Sequence, residues 1–269
     1  MKKKILFVTT SRADYGVCKN LIYLFQSSKK IKFYLIVSGT HLKENFGKTI
    51  SEIKNNKIKI YKKINILGEK KNNHFDDLVI AKNTFKYFIK TFKKINPDFI
   101  IIFGDRYEML PLAYLAYLNR TKIIHINGGE VSYGAIDESI RHSITKFSDY
   151  HFVSNEINKT RVIQMGENPK NVYNYGSLSI DAIKKIKFLN RKQIEKKLKY
   201  KLFKKNLVFT YHPETYQKKK HSLDINLILN TLKNYKDIRF FITSPNFDKG
   251  SMEIKKVIKN FVKKKFKFY

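Results

Sequence analysis

Four carboxylates in one third of the chain stand where an enzyme would use them. Asp105 closes Gly104-Asp105-Arg106 directly after the apolar run Phe99–Phe103. Glu130 closes Asn127-Gly128-Gly129-Glu130 after the run Lys122–Ile126, and Asp137 and Glu138 open the block Asp137-Glu138-Ser139-Ile140-Arg141-His142. Charge just past the end of a buried strand is where open α/β sheets carry their chemistry. Two carboxylates in unlike surroundings can divide into acid and base. If the strands at Phe99 and Lys122 are neighbours, Asp105 and Glu130 come within reach of one substrate. Arg141 and His142 follow Glu138 by three and four residues, near one face of a helix. Taken singly, Asp105 reads as well as a helix cap, and Glu138-Arg141-His142 as a solvated ion-pair face. Three strand ends together favour a catalytic floor.

The cations point the same way. Only seven of the 55 basic residues are Arg, and Arg12, Arg106 and Arg141 lie in such segments. Arg is the planar, bidentate partner of phosphate and carboxylate. Ser11-Arg12-Ala13-Asp14-Tyr15-Gly16 follows an apolar strand and opens a helix, so its backbone N–H groups are expected to favour a phosphate, with Arg12 adding a charged hydrogen bond. The loop is neither the dinucleotide fingerprint nor a P-loop, and a capped helix with a surface Arg explains it equally well. His212, in His212-Pro213-Glu214-Thr215, ends the first strand of a second domain and is expected to face an interdomain cleft as a phosphate or leaving-group contact. The seven His are scattered, with no His-Glu-x-x-His and no Cys cluster, so no metal is expected. No Gly-x-Ser-x-Gly elbow occurs.

Strands alternating with helices must position these groups. Lys4–Thr9, Phe33–Val37, Phe99–Phe103, Lys122–Ile126, His151–Val153 and Val172–Tyr175 read as buried strands, with a weaker one in Lys57–Ile66. Helices are expected between them, including 75–95, closed by Pro97. The pattern is a parallel, doubly wound sheet. The Lys-rich stretch 184–205 marks a boundary between domains 1–185 and 186–269. The second holds only about two β-α units, at Asn206–Thr210 and Ile238–Ile242, thin for an independent core.

The totals fit this frame. A chain of 269 residues with 42% hydrophobic content can fold around a real core. Cys18 is the single Cys, which argues against a disulfide framework and for a cytoplasmic location. No run is long enough to cross a bilayer. The net charge of +33 is carried by Lys spread over every expected helix, which reads as composition and not as a nucleic-acid surface.

Together these segments, with Ser38-Gly39-Thr40-His41-Leu42 and Pro245-Asn246-Phe247-Asp248-Lys249-Gly250, resemble the hydrolysing UDP-N-acetylglucosamine 2-epimerase family of sialic- and legionaminic-acid-type biosynthesis. The resemblance implies two Rossmann-like domains of the glycosyltransferase B type, a UDP-sugar substrate, no cofactor and a homo-oligomer, with neither nucleic acid nor membrane as partner. It implies removal of the C2 proton while UDP leaves C1, then hydration of the glycal. By resemblance Asp105, Glu130 and Glu138 are the acid–base groups. Arg12, His41, Arg106, Arg141, His142, His212, Asn246 and Asp248 bind the substrate. Asn127 stands where some relatives carry a carboxylate and is left out of the base assignment. Relatives continue past the position of Tyr269 with a Gly-Asn-Ser-Ser-like loop and a Glu that hold phosphate and uridine, so an incomplete second domain is expected. A glycosyltransferase of the same architecture, passing the sugar to an acceptor, and an inactive remnant are the alternative readings.

Overall fold

The computed structural model describes residues 1–68, 77–213, 221–245 and 250–265. In chain order the elements are β1 (Lys3–Thr9), α1 (Arg12–Ser27), β2 (Ile31–Ser38), α2 (Ile50–Asn55), β3 (Lys62–Ile64), α3 (Asp77–Ile95), β4 (Phe99–Phe103), α4 (Met109–Leu118), β5 (Lys122–Ile126), α5 (Asp137–Phe147), β6 (Tyr150–Val153), α6 (Glu156–Gln164), β7 (Val172–Asn174), α7 (Leu178–Lys184), α8 (Arg191–Leu198), β8 (Lys205–Phe209), α9 (His221–Leu232), β9 (Ile238–Ile242) and α10 (Ser251–Lys265). The chain divides into two compact units: residues 1–133 with 137–186, and residues 187–269 with 134–136.

The first unit is a parallel seven-stranded sheet in the order β3-β2-β1-β4-β5-β6-β7. Its central strands are apolar along their length because helices cover both faces, so every position needs an apolar side chain. Ile5, Leu6, Phe7 and Val8 of β1 and Ile100, Ile101 and Ile102 of β4 are all buried. Burying one such side chain contributes roughly 1.5–3 kcal/mol. Helix α3 buries Ile80, Thr84, Phe88, Thr91, Phe92 and Ile95, one stripe at helical spacing. Asp98, just before β4, accepts a hydrogen bond from the Lys4 amide at 2.8 Å and so fixes the register of β1 against β4.

Strand order reverses between β1 and β4, and such a switch point opens a crevice at the carboxyl ends of the strands. The loops after β1, β4 and β5 therefore converge there. Strands β4 and β5 are neighbours with Phe103 opposite Ile126, which puts the Gly104-Asp105 and Asn127–Glu130 loops side by side and meets the condition set for Asp105 and Glu130.

In the second unit β8 and β9 pair in parallel, and α9 and α10 bury Ile225, Leu229, Ile254, Ile258 and Val262 against Phe209 and Ile242. Leu207 and Val208 of β8, which point to opposite faces of this two-stranded sheet, are both exposed. The Lys-rich stretch, read as helical or linker-like, holds α8, started by a capping box between Asn190 and Gln193.

Candidate active site

Arg141 organises the acidic loops. It lies on the first turns of α5 with its side chain 3% exposed. Nη2 binds Asp105 Oδ2 in the loop after β4 and donates to Ser132 Oγ at 2.8 Å. Nη1 donates to the Glu130 carbonyl at 2.6 Å and lies 3.5 Å from Glu138 Oε2. One guanidinium thus ties together the loops after β4 and β5 and the start of α5, using the fork geometry that a Lys lacks. Arg141 was expected to bind substrate; its Nη1 and Nη2 are directed at protein groups in these loops.

The three carboxylates differ in their partners. Glu138 accepts from the Ser132 amide and from His142 Nε2 at 3.1 Å. The Ser132 amide chiefly, then His142 and Arg141, hold its carboxyl below the usual range. Asp105 faces Arg141 directly. Among the described residues Glu130 accepts one neutral hydrogen bond, from Ser154 Oγ at 3.1 Å, and no cation lies against its side chain. His142 is engaged by Glu138 at i, i+4 spacing.

Backbone geometry sets where these groups stand. Gly104 takes φ +70 immediately before Asp105, and Asn127 takes φ +65 immediately after β5. Gly129 takes φ +77, and a Cβ there would lie 2.5 Å from the Asn158 carbonyl oxygen, so only Gly lets the Glu130 loop lie against α6. Beneath both loops His125, fully buried on β5, donates from Nε2 to the Gly104 carbonyl at 2.8 Å, with Thr145 Oγ1 3.1 Å from Nδ1. Burial pushes its imidazole down to about 3, so it stays neutral in ordinary buffers. His125 was not among the expected site residues. A His inside an otherwise apolar strand was the signal.

The loop after β1 takes the second of its two readings, a capped helix with a surface Arg. The Asp14 carboxylate folds back over it and accepts from the amides of Thr10 (2.8 Å), Ser11 (3.0 Å) and Tyr15 (2.7 Å), and from Thr9 Oγ1 at 2.9 Å. With Ser11 it forms a capping box. The amides expected to cradle a phosphate already serve a carboxylate, which also answers the helix dipole. Arg12 remains exposed, with Nε 3.8 Å from Glu52. His41 is fully buried, with Nε2 3.0 Å from Thr9 Oγ1 and Nδ1 2.7 Å from Thr49 Oγ1. Burial lowers its pKa, against the opposing pull of Asp14. His41 was expected to bind substrate; both its ring nitrogens are engaged by protein hydroxyls, which tie it into this loop.

Arg106 turns onto Glu108, Nε to Oε1 2.9 Å, beside the ring of Tyr107. Glu108 is itself 3% exposed and was not expected from the sequence. His212 follows β8 and is exposed. Asn246 and Asp248 lie outside the described residues. Among the described residues no group of His, Cys, Asp and Glu could hold a metal ion, and no helix is long and apolar enough to cross a membrane.

Comparison with known proteins bears on the family and the fold. The family model described as UDP-N-acetylglucosamine 2-epimerase matches residues 24–269. A GDP/UDP-N,N'-diacetylbacillosamine 2-epimerase (hydrolyzing) of Campylobacter jejuni is 39% identical over 266 residues, 98% of this chain and 68% of that protein. A UDP-N,N'-diacetylbacillosamine 2-epimerase (hydrolyzing) of Legionella pneumophila is 30% identical, over 97% of this chain and 69% of that protein. The crystal structure of UDP-GlcNAc 2-epimerase from Neisseria meningitidis bound to UDP-GlcNAc superposes with a TM-score of 0.80 at 19% identity, covering 97% of this chain and 70% of that one. That likeness shows a shared fold of the glycosyltransferase B kind. On the strength of the family match and of the 39% relative, the chain belongs to the UDP-N-acetylglucosamine 2-epimerase family.

Proposed function

We propose that the protein catalyses the hydrolysing 2-epimerisation of a UDP-N-acetylhexosamine, releasing UDP and the free 2-epimeric sugar. A UDP-2,4-diacetamido-trideoxyhexose is the favoured substrate, since two relatives that match nearly the whole chain are named for such a sugar; UDP-N-acetylglucosamine is the other member of the class. The observation that carries the reading is the set of Asp105, Glu130 and Glu138, gathered by Arg141 at the carboxyl ends of adjacent strands.

The chemistry uses these groups as follows. A carboxylate takes the C2 proton while the C1–O bond breaks and its electron pair leaves with UDP, giving a glycal. Water then adds across the double bond, oxygen to C1 and a proton to the opposite face of C2. Glu138, held ionised by Ser132, His142 and Arg141, suits the first role. Glu130 is the second acid–base group, and Asp105 with Arg141 completes the charged floor. Arg12, Arg106 and His212, with Asn246 and Asp248, are assigned to the nucleotide and diphosphate, where cations offset the leaving group's charge. Residues 186–269 form the nucleotide side.

A cytoplasmic location and a homo-oligomeric state complete the proposal. The lone, buried Cys18 supports the first. Exposed Tyr114, Tyr117 and Leu118 on the apolar α4 support the second.

The test is incubation with each UDP-sugar in D₂O. The expected result is release of UDP and a free sugar inverted at C2 and carrying deuterium there. Release of UDP without deuterium at C2, or appearance of the sugar on an acceptor, would sink the reading.

A further inference from the structure

Glu130 is approached from α6 by a chain of polar side chains whose hydrogen-bond directions are all determined. Arg161 donates from Nη1 to the Gly129 carbonyl, the residue before Glu130, and to Asn158 Oδ1 at 3.2 Å. A guanidinium has only donors, so Oδ1 of Asn158 must face it and the amide nitrogen must face the other way. That nitrogen donates to Ser154 Oγ at 2.9 Å. Asn155 is fixed by the same logic: its Oδ1 accepts from the Asn158 amide at 2.8 Å, and its nitrogen lies 3.5 Å from Ser154 Oγ. Two amide nitrogens thus point at the Ser154 oxygen. Its one hydroxyl proton is left for Glu130 Oε1, 3.1 Å away.

The chain is built in. Asn158 is buried, and the missing Cβ of Gly129 lets the Asn158 carbonyl lie where that atom would stand. Of the three gathered carboxylates, Glu130 alone is held by a neutral hydroxyl and not by Arg141, so its orientation depends on this contact.

We infer that Ser154 is the positioning residue of Glu130, polarised by Asn158 and Arg161, and that it holds Oε1 so that Oε2 meets the substrate. The inference rests on Glu130 acting as an acid–base group in the proposed reaction. Hydrogen bonds in series strengthen one another, and a positive charge at the far end points every dipole towards the carboxylate. Asn158→Asp would reverse the chain: a carboxylate facing Ser154 would draw the hydroxyl proton away from Glu130.

The experiment uses the full chain labelled with ¹³C-glutamate, with the Glu130 carboxyl resonance identified by its loss in Glu130→Gln. At fixed pH that resonance is expected to move in Ser154→Ala and in Asn158→Asp, and to return in Ser154→Thr, which keeps the hydroxyl. With the UDP-sugar as substrate, Ser154→Ala and Asn158→Asp are expected to lower kcat about tenfold, the size of one net hydrogen bond, with KM unchanged, and Ser154→Thr to restore it. An unmoved resonance in Ser154→Ala overturns the inference. So does a raised KM at unchanged kcat, which would make Ser154 a substrate contact. If the resonance moves as expected while Glu130→Gln keeps full activity, the positioning chain stands and the acid–base reading of Glu130 falls. Asn158→Asp keeps the test decisive should Ser154→Ala fail to fold.

Discussion

His125 on β5 donates its Nε2–H to the carbonyl oxygen of Gly104 at the end of β4, 2.8 Å away across neighbouring strands. That bond fixes the residue on which Asp105 hangs. It is made by a ring that never sees solvent and that burial keeps neutral down to about pH 3.

Replacing this ring separates positioning from contact. His125→Phe fills the space and removes the bonds to Gly104 and Thr145. It is expected to cost about 1–3 kcal/mol, because it leaves the Gly104 carbonyl unmet, and to lower kcat through misplacement of Asp105. The pH dependence carries a sign. The folded value, about 3, lies below the ordinary 6.5, so the unfolded chain binds the extra proton between those limits. The contribution of His125 to stability is therefore greatest above about 6.5, declines as pH falls, and levels off near 3. In thermal melts the gap between wild type and His125→Phe should narrow from pH 7 to pH 4. A constant gap would show that the ring is not held neutral.

Removing the guanidinium of Arg141 leaves Asp105 and Glu138 facing each other without it. Arg141→Ala is expected to cost about 1–3 kcal/mol in urea unfolding, because the Glu130 carbonyl loses its donor and two partly exposed carboxylates lose their partner. Arg141→Lys should recover little, since a point charge cannot serve Asp105, Ser132 and the Glu130 carbonyl from one fork. Full recovery by Lys would show that charge alone is needed.

Glu138 gives a prediction readable in the pH profile. Its carboxyl is held low chiefly by the Ser132 amide and, after that, by His142 and Arg141, so its stabilising effect is present above the ordinary carboxylate range and is lost as pH falls through the lowered value. His142→Phe removes one of these supports and raises the folded value. If Glu138 must be ionised to take the C2 proton, the acid limb of kcat/KM moves to higher pH. The shift is partial, because the Ser132 amide remains. An unmoved limb would mean that Glu138 is not the group titrating there.

Gly129→Ala probes the contact between the Glu130 loop and α6. The residue has φ +77, and the added Cβ would stand 2.5 Å from the Asn158 carbonyl and 2.8 Å from Val162. A loss greater than about 1 kcal/mol is expected in thermal unfolding. Gly104→Ala, with φ +70 but open space around it, should be hurt less.

The sequence by itself determined the fold class and which charged residues stand at the sheet's carboxyl edge. Continuous apolar runs such as Phe99–Phe103 can only be strands covered on both faces, and the charged residues directly after them must then stand at the sheet's carboxyl edge. The place of Asp105 and Glu130 at that edge was legible for that reason. Tertiary structure decided what their neighbours do. Arg141 looked like a free cation but turns inward, because three loops present oxygens to one fork. Arg12's loop read equally as a phosphate cradle or a capped helix, and Asp14 on its amides decides for the cap. Ser154 carries no signal in the sequence at all, since a hydroxyl takes its meaning from partners far along the chain. Local pattern dictates which groups reach an edge. Which donor meets which acceptor there depends on packing between distant elements, and no spacing rule encodes that.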